Sequence, residues 1–139
     1  MPKIIRGVSI SDQRGTVAFI NDFNMQPIKR FYSINHLDIN IVRAWRLHRI
    51  EQRWFHVVKG EFLIRLVNID DWVSPSKNLP IIEFLLTEKN NEVLHIPAGF
   101  GSSIQATEES SIMIVFADYG IENAQFDNYL FPSDYFESD

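Results

Sequence analysis

Two segments of this chain concentrate the side chains able to do chemistry, NIVRAWRLHRIEQRWFHVVKGEF and NEVLHIPAGFGSSIQA. The first carries Arg43, Arg46, His48, Glu51, Gln52 and Arg53, and the second carries His95 and the Ser102-Ser103 pair. An imidazole such as His48 titrates near neutral pH and suits proton transfer. An arginine stays protonated at any physiological pH, so Arg46 cannot serve as an ordinary base, but its planar fork matches phosphate oxygens. Arg43 and Arg46 stand three apart, so a regular strand sends them to opposite faces, and a bulge or twist is needed for both to reach one cavity. His48 shares a face with Arg46.

These residues sit in a chain of strand-like runs rich in Val, Ile and Phe: GTVAFIND, IKRFYSI, NIVRAWRLH, RWFHVVKGEFLIRLVN, IIEFLLT, NEVLHIP and SSIMIVFAD. Seven or more short strands read as a sandwich or barrel. RWFHVVKGEFLIRLVN reads as two strands around Lys59-Gly60-Glu61, where Gly60 gives the turn its backbone freedom. Residues 70 to 80, DDWVSPSKNLP, read as a surface loop whose Trp72 is expected to cover something. The tail from Tyr119 loses alternation and reads as a short helix or an extended arm packed on the barrel. His36, in INHLD, reads as a turn residue. His56 and His95 lie in apolar runs and read as core or interface histidines, and Trp45, Trp54 and Trp72 as packing groups.

Composition narrows the function. With 139 residues the chain suits one domain, 1–139, able to bury a real core. Its 13 Lys+Arg against 18 Asp+Glu leave a net charge of -5, the wrong sign for counterion-releasing nucleic-acid binding. No Cys is present, which removes disulfides, thiolate catalysis and Cys-type zinc sites. No stretch approaches the roughly 18 apolar residues of a membrane span, and the start MPKIIRGVSISDQRG lacks the pattern of a cleaved leader. A cytoplasmic protein with no membrane partner is expected.

The two chemistry-bearing segments resemble the two signature regions of the cupins, which have His-x-His followed by Glu and a Gly turn, then Pro-x-Gly followed by His. Here Arg46-Leu47-His48 stands at His-x-His, Glu51 and Gly60 follow, and Pro97-Ala98-Gly99 leads to Ser102 at the last His. The resemblance implies an all-β, double-stranded β-helix (cupin jelly roll). A transition metal needs about three or four N, O or S ligands, and a guanidinium repels it. With half the ligand set gone, no metal and no other cofactor are expected.

Over about Ile10 to Phe136 the chain further resembles the sugar-nucleotide cupins. It is similar to the dTDP-4-dehydrorhamnose 3,5-epimerases and more closely to the dTDP-4-keto-6-deoxyhexose 3,4-ketoisomerases and their WxcM-like relatives. The resemblance rests on Asp12-Gln13-Arg14-Gly15, Gly15-Thr16-Val17-Ala18-Phe19, Ile28-Lys29-Arg30-Phe31-Tyr32, Val42-Arg43-Ala44-Trp45-Arg46-Leu47-His48, Glu51-Gln52, Val115-Phe116-Ala117-Asp118-Tyr119 and Asn128-Tyr129-Leu130-Phe131. It implies a nucleotide-sugar ligand and a homodimer whose amino-terminal strand joins the partner's sheet. It also implies substrate-binding roles for Arg14, Arg43, Arg46, Gln52 and Arg53, and a catalytic aromatic hydroxyl at Tyr32.

In these enzymes a base removes a proton beside the substrate's 4-keto group while an acid stabilises the enolate. The family's base stands where this chain has Arg46, and the epimerases' Tyr acid aligns with apolar Ile114. Three readings stay open: a nucleotide-sugar binder in which the inherited proton abstraction fails, an active isomerase or epimerase with His48 as a relocated base, and a structural or regulatory partner protein whose barrel is filled by its own aromatics.

Overall fold

Period-two alternation of apolar side chains builds nearly the whole molecule, and the computed structural model describes it over residues 1–136. Twelve strands form: β1 (Lys3–Arg6), β2 (Val8–Asp12), β3 (Gly15–Phe19), β4 (Arg30–His36), β5 (Val42–His48), β6 (Arg53–Lys59), β7 (Glu61–Asn68), β8 (Ile81–Thr87), β9 (Glu92–Ile96), β10 (Phe100–Ala106), β11 (Ser111–Ala117) and β12 (Tyr129–Leu130). Two antiparallel five-stranded sheets face each other, one ordered β1-β9-β6-β11-β4 and the other β12-β5-β10-β7-β8, while β2 and β3 form a separate ribbon. The jelly roll expected from sequence is present. The β6–β7 hairpin turns at Gly60, whose φ of +78° few other residues adopt. Its neighbour Ser111 also fills the space a Cβ would need.

The inward faces resolve what alternation left open. Phe55 and Val57 of β6 meet Phe62, Ile64 and Leu66 of β7 in the main core, with Leu94, Phe100, Ile104, Met113 and Val115. His56 therefore points outward, where its Nδ1 lies 2.9 Å from the Glu92 carbonyl. A second core forms on the outer side of the other sheet, where Trp45, Leu47, Val67, Ile69 and Phe136 pack with Trp72, Tyr129 and Tyr135. The tail satisfies both expectations at once: a short helix α1 (Ile121–Ala124) is followed by β12 and by aromatics laid on Trp45. Trp72 of the 70–80 loop covers Tyr129, with ring centroids 5.2 Å apart.

The strand list read from sequence was short. Strands β1, β2, β10 and β12 were not among the runs, because their apolar content is low or their length is two to five residues, apart from Gly- and Ser-rich β10. His36 is not a turn residue: it is the last residue of β4, on the inward face, and is buried. No helix among the described residues is long and apolar enough to cross a membrane.

Candidate functional site

A cavity of about 540 Å³ opens between the two sheets where β4 and β5 flank its mouth. Strand β4 supplies Tyr32, Ile34 and the strand edge at Ser33 and Asn35, β5 supplies Val42 to Arg46, and Arg53, Ser102, Ile104, Leu130 and Phe131 complete the lining. The volume suits a small-molecule ligand.

The pairing of β5 with β10 explains how Arg43 and Arg46 both arrive there. Arg46 is opposite Ser102 and Arg43 is opposite Ile104, so three steps on β5 span two on β10. The extra residue is a bulge, which restores Arg43 and Arg46 to one face and sends Trp45 to the outer core. Arg43 and Arg46 are exposed at the mouth, whereas Arg53 is 3% exposed. Arg43 Nε donates to His36 Nε2 at 2.8 Å, and Arg53 Nη2 donates to Ser102 Oγ at 2.5 Å.

Outside the lining lies a buried polar cluster. Asp127, fully buried, accepts the backbone N–H groups of Arg49, Ile50 and Glu51 at 2.7–3.1 Å, so the loop after β5 is fixed by the tail. Its carbonyl oxygen lies 2.7 Å from His48 Nδ1. A carbonyl only accepts, so Nδ1 carries the proton and Nε2 is left with its lone pair, which has no partner among the described residues. Burial and the nearby Arg53 charge push the His48 imidazole down to about 3, with Arg46 and Arg30 adding to the push against the Asp127 hydrogen bond. Glu51 accepts from Arg30 Nη2 at 2.9 Å, and burial raises its carboxyl above the usual range despite Arg53 and Arg30. Among the described residues no three His, Asp or Glu converge as metal ligands do.

The structure therefore gathers Tyr32, Arg43, Arg46 and Arg53 around one cavity and leaves three other candidates outside its lining. His48 is buried and does not line it. Gln52 faces away, its backbone N–H and side-chain amide on Asp118 and its Oε1 2.8 Å from His95 Nε2. Arg14 stands at the tip of the β2–β3 ribbon, its side chain 84% exposed and ion-paired with Asp12 at 2.7 Å. Sequence reasoning missed Arg30, Asp127 and the contact of His36 with Arg43. Counting by twos from Tyr32 would have placed Arg30 and His36 on the inward face, but nothing local marks Asp127.

No family model matches the chain, and no curated protein matches its sequence. Solved structures do. A dTDP sugar isomerase from Desulfovibrio desulfuricans G20 superposes with a TM-score of 0.78 at 17% identity, covering 96% of this chain and 85% of that one. The chain shares that fold. A mutant 3,4-ketoisomerase from Thermoanaerobacterium thermosaccharolyticum, in complex with TDP-4-keto-6-deoxyglucose, gives 0.70 at 24% identity over 92% and 86%. A dTDP-4-dehydrorhamnose 3,5-epimerase from Bacillus anthracis, with TDP and PPi bound, gives 0.72 at 13% over 93% and 77%. The structural neighbours of this chain thus include ketoisomerases and epimerases of the kind that its motif order resembles.

Proposed function

We propose that this cupin binds a nucleotide-linked sugar in the cavity and holds it without turning it over. One observation carries the reading: Arg43, Arg46 and Arg53 reach a single cavity whose lining, among the described residues, contains no imidazole and no carboxylate. Guanidinium forks match diphosphate oxygens, and an aromatic wall with Tyr32 and Phe131 suits the rest of a nucleotide sugar. Proton abstraction needs a base within hydrogen-bond reach of the substrate carbon. His48 is buried outside the lining and held neutral with a very low proton affinity, so it is a poor replacement for the base that Arg46 displaces. The neighbours bound to TDP and TDP-sugar support the ligand class.

The proposal includes a homodimer. Arg14 lies on a ribbon apart from both sheets, so its route to a binding site is through the cavity of a second copy. Titration calorimetry with dTDP and dTDP-sugars is the test. Heat of binding without deuterium gain at C3 or C5 of dTDP-4-keto-6-deoxyglucose in D2O is the expected result. Absence of heat and of competition at millimolar ligand would overturn the ligand class. Exchange that His48→Asn abolishes would instead establish the isomerase or epimerase reading.

A further inference from the structure

The three cavity arginines are not equivalent. Arg43 and Arg46 are exposed at the mouth, where water screens their charge, but Arg53 is almost wholly buried. Its cationic carbon lies 5.0 Å over the Phe55 ring, and its one hydrogen bond among the described residues goes to the neutral Ser102 hydroxyl. No described carboxylate pairs with it, since Glu51, which feels its field, is held by Arg30 at 2.9 Å. A guanidinium has five N–H donors, so four of those on Arg53 remain, in a residue that lines the cavity. A largely buried charge without a direct ion pair costs stability, although the remaining Arg53 donors still reach the open cavity and Glu51 lies within its field. The chain keeps that charge at the inner end of its ligand cavity.

We propose that the ligand brings the missing anion: its sugar carries a carboxylate, received by Arg53 together with Ser102, so that the bound hexose is a uronate. This rests on the nucleotide-sugar reading of the cavity. The charge distribution favours it. Two exposed guanidinium groups at the mouth match a diphosphate, while one buried guanidinium beside one hydroxyl matches a planar, singly charged group that accepts two parallel N–H bonds. A neutral deoxysugar offers Arg53 hydroxyl and carbonyl acceptors but leaves its charge without a counterion.

The test compares dTDP, dTDP-glucose and dTDP-glucuronate by calorimetry, with wild type and Arg53→Met. Wild type is expected to bind the glucuronate at least about tenfold more tightly than the glucose, and Arg53→Met to bring that ratio to about one. Ser102→Ala, which keeps the cation, is expected to reduce the ratio and serves if Arg53→Met does not fold. Ligand-free Arg53→Met is expected to melt at a higher temperature than wild type, because it loses a buried charge and gains an apolar side chain of similar length. If dTDP binds but the ratio in wild type is near one, or the ratio survives in Arg53→Met, the carboxylate assignment falls. If dTDP itself fails to bind, the nucleotide reading falls, and free glucuronate decides the rest: thermal stabilisation of wild type but not of Arg53→Met supports the carboxylate site, and equal behaviour overturns it.

Discussion

Arg43 and Arg46 lie three residues apart on one strand and line the same cavity. A regular strand forbids this, and the one-residue bulge against Ser102 and Ile104 permits it. The same irregularity turns Trp45 outward, where its ring meets Phe136 at a centroid distance of 5.0 Å and its Nε1 donates to the Ser133 carbonyl. One inserted residue therefore places two cations inside and anchors the tail outside.

Removing either cation should weaken nucleotide binding. A hydrogen bond to a charged group contributes about 1.5–3 kcal/mol, so Arg43→Ala and Arg46→Ala are each expected to raise the Kd for dTDP roughly 10- to 100-fold. Arg43→Lys should recover only part of the loss, because an ammonium has neither the planar fork nor the Nε donor that holds His36. Calorimetry at two salt concentrations checks this, and an unchanged Kd in both alanine variants would rule out a ligand gripped at the mouth.

The buried His48 gives stability a pH dependence of definite sign. Its imidazole is held down to about 3 in the folded state, against an ordinary value of 6.5. Between those values the unfolded chain binds the extra proton and the folded chain does not, so stability is full above pH 6.5 and falls as pH drops toward 3. From pH 6.5 to 4 the slope integrates to about 3 kcal/mol. Burial shifts His36 and His95 in the same direction, while Glu51, raised by burial, opposes them by losing stability as pH rises through its folded value. Urea unfolding across this range should show His48→Asn, which keeps a donor for the Asp127 carbonyl, with a flatter profile than wild type. Parallel profiles would contradict the assignment.

The fold was legible because alternation along β4 to β9 and β11 is strong, and the motif order pointed to two sheets facing a cavity. Opposite parity of Arg43 and Arg46 signalled a bulge, but a bulge is set by register against a partner strand, which local pattern does not encode. Asp127 was illegible for a related reason. Its three N–H donors are 76 to 78 residues away in sequence, and a carboxylate in a polar tail gives no local sign of being fully buried. His36 was misread because Asn35 and Asp38 beside it look like turn chemistry, while its partners Arg43 and Phe62 lie on other strands.

Asp127 should be among the most sensitive positions in the chain. Asp127→Ala leaves the N–H groups of Arg49, Ile50 and Glu51 without their acceptor and frees the tail from the loop after β5. The expected cost is about 3 kcal/mol, read as a melting temperature lower by about 10 °C. Asp127→Asn, with one carbonyl oxygen left to accept, should fall between. Calorimetric melting of the three proteins decides the order.

The ribbon offers the last prediction. Val8, Ile10 and Val17 are 53%, 59% and 66% exposed. Val8 pairs with Phe19 and Ile10 with Val17, so all four side chains share one face of β2–β3. On the outer face of the sheet that ends in β4, Phe31 is 69% exposed beside Phe116 and forms a second apolar patch. A second copy laying its ribbon on this surface would cover both and bring its Arg14 with it. Ile10→Lys and Val17→Glu place charges in that contact and are expected to weaken dimerisation by at least about 100-fold while leaving the melting temperature of the monomer nearly unchanged. Sedimentation velocity reads the outcome. A wild-type monomer at high micromolar concentration would refute the dimer, and with it any role for Arg14 in binding.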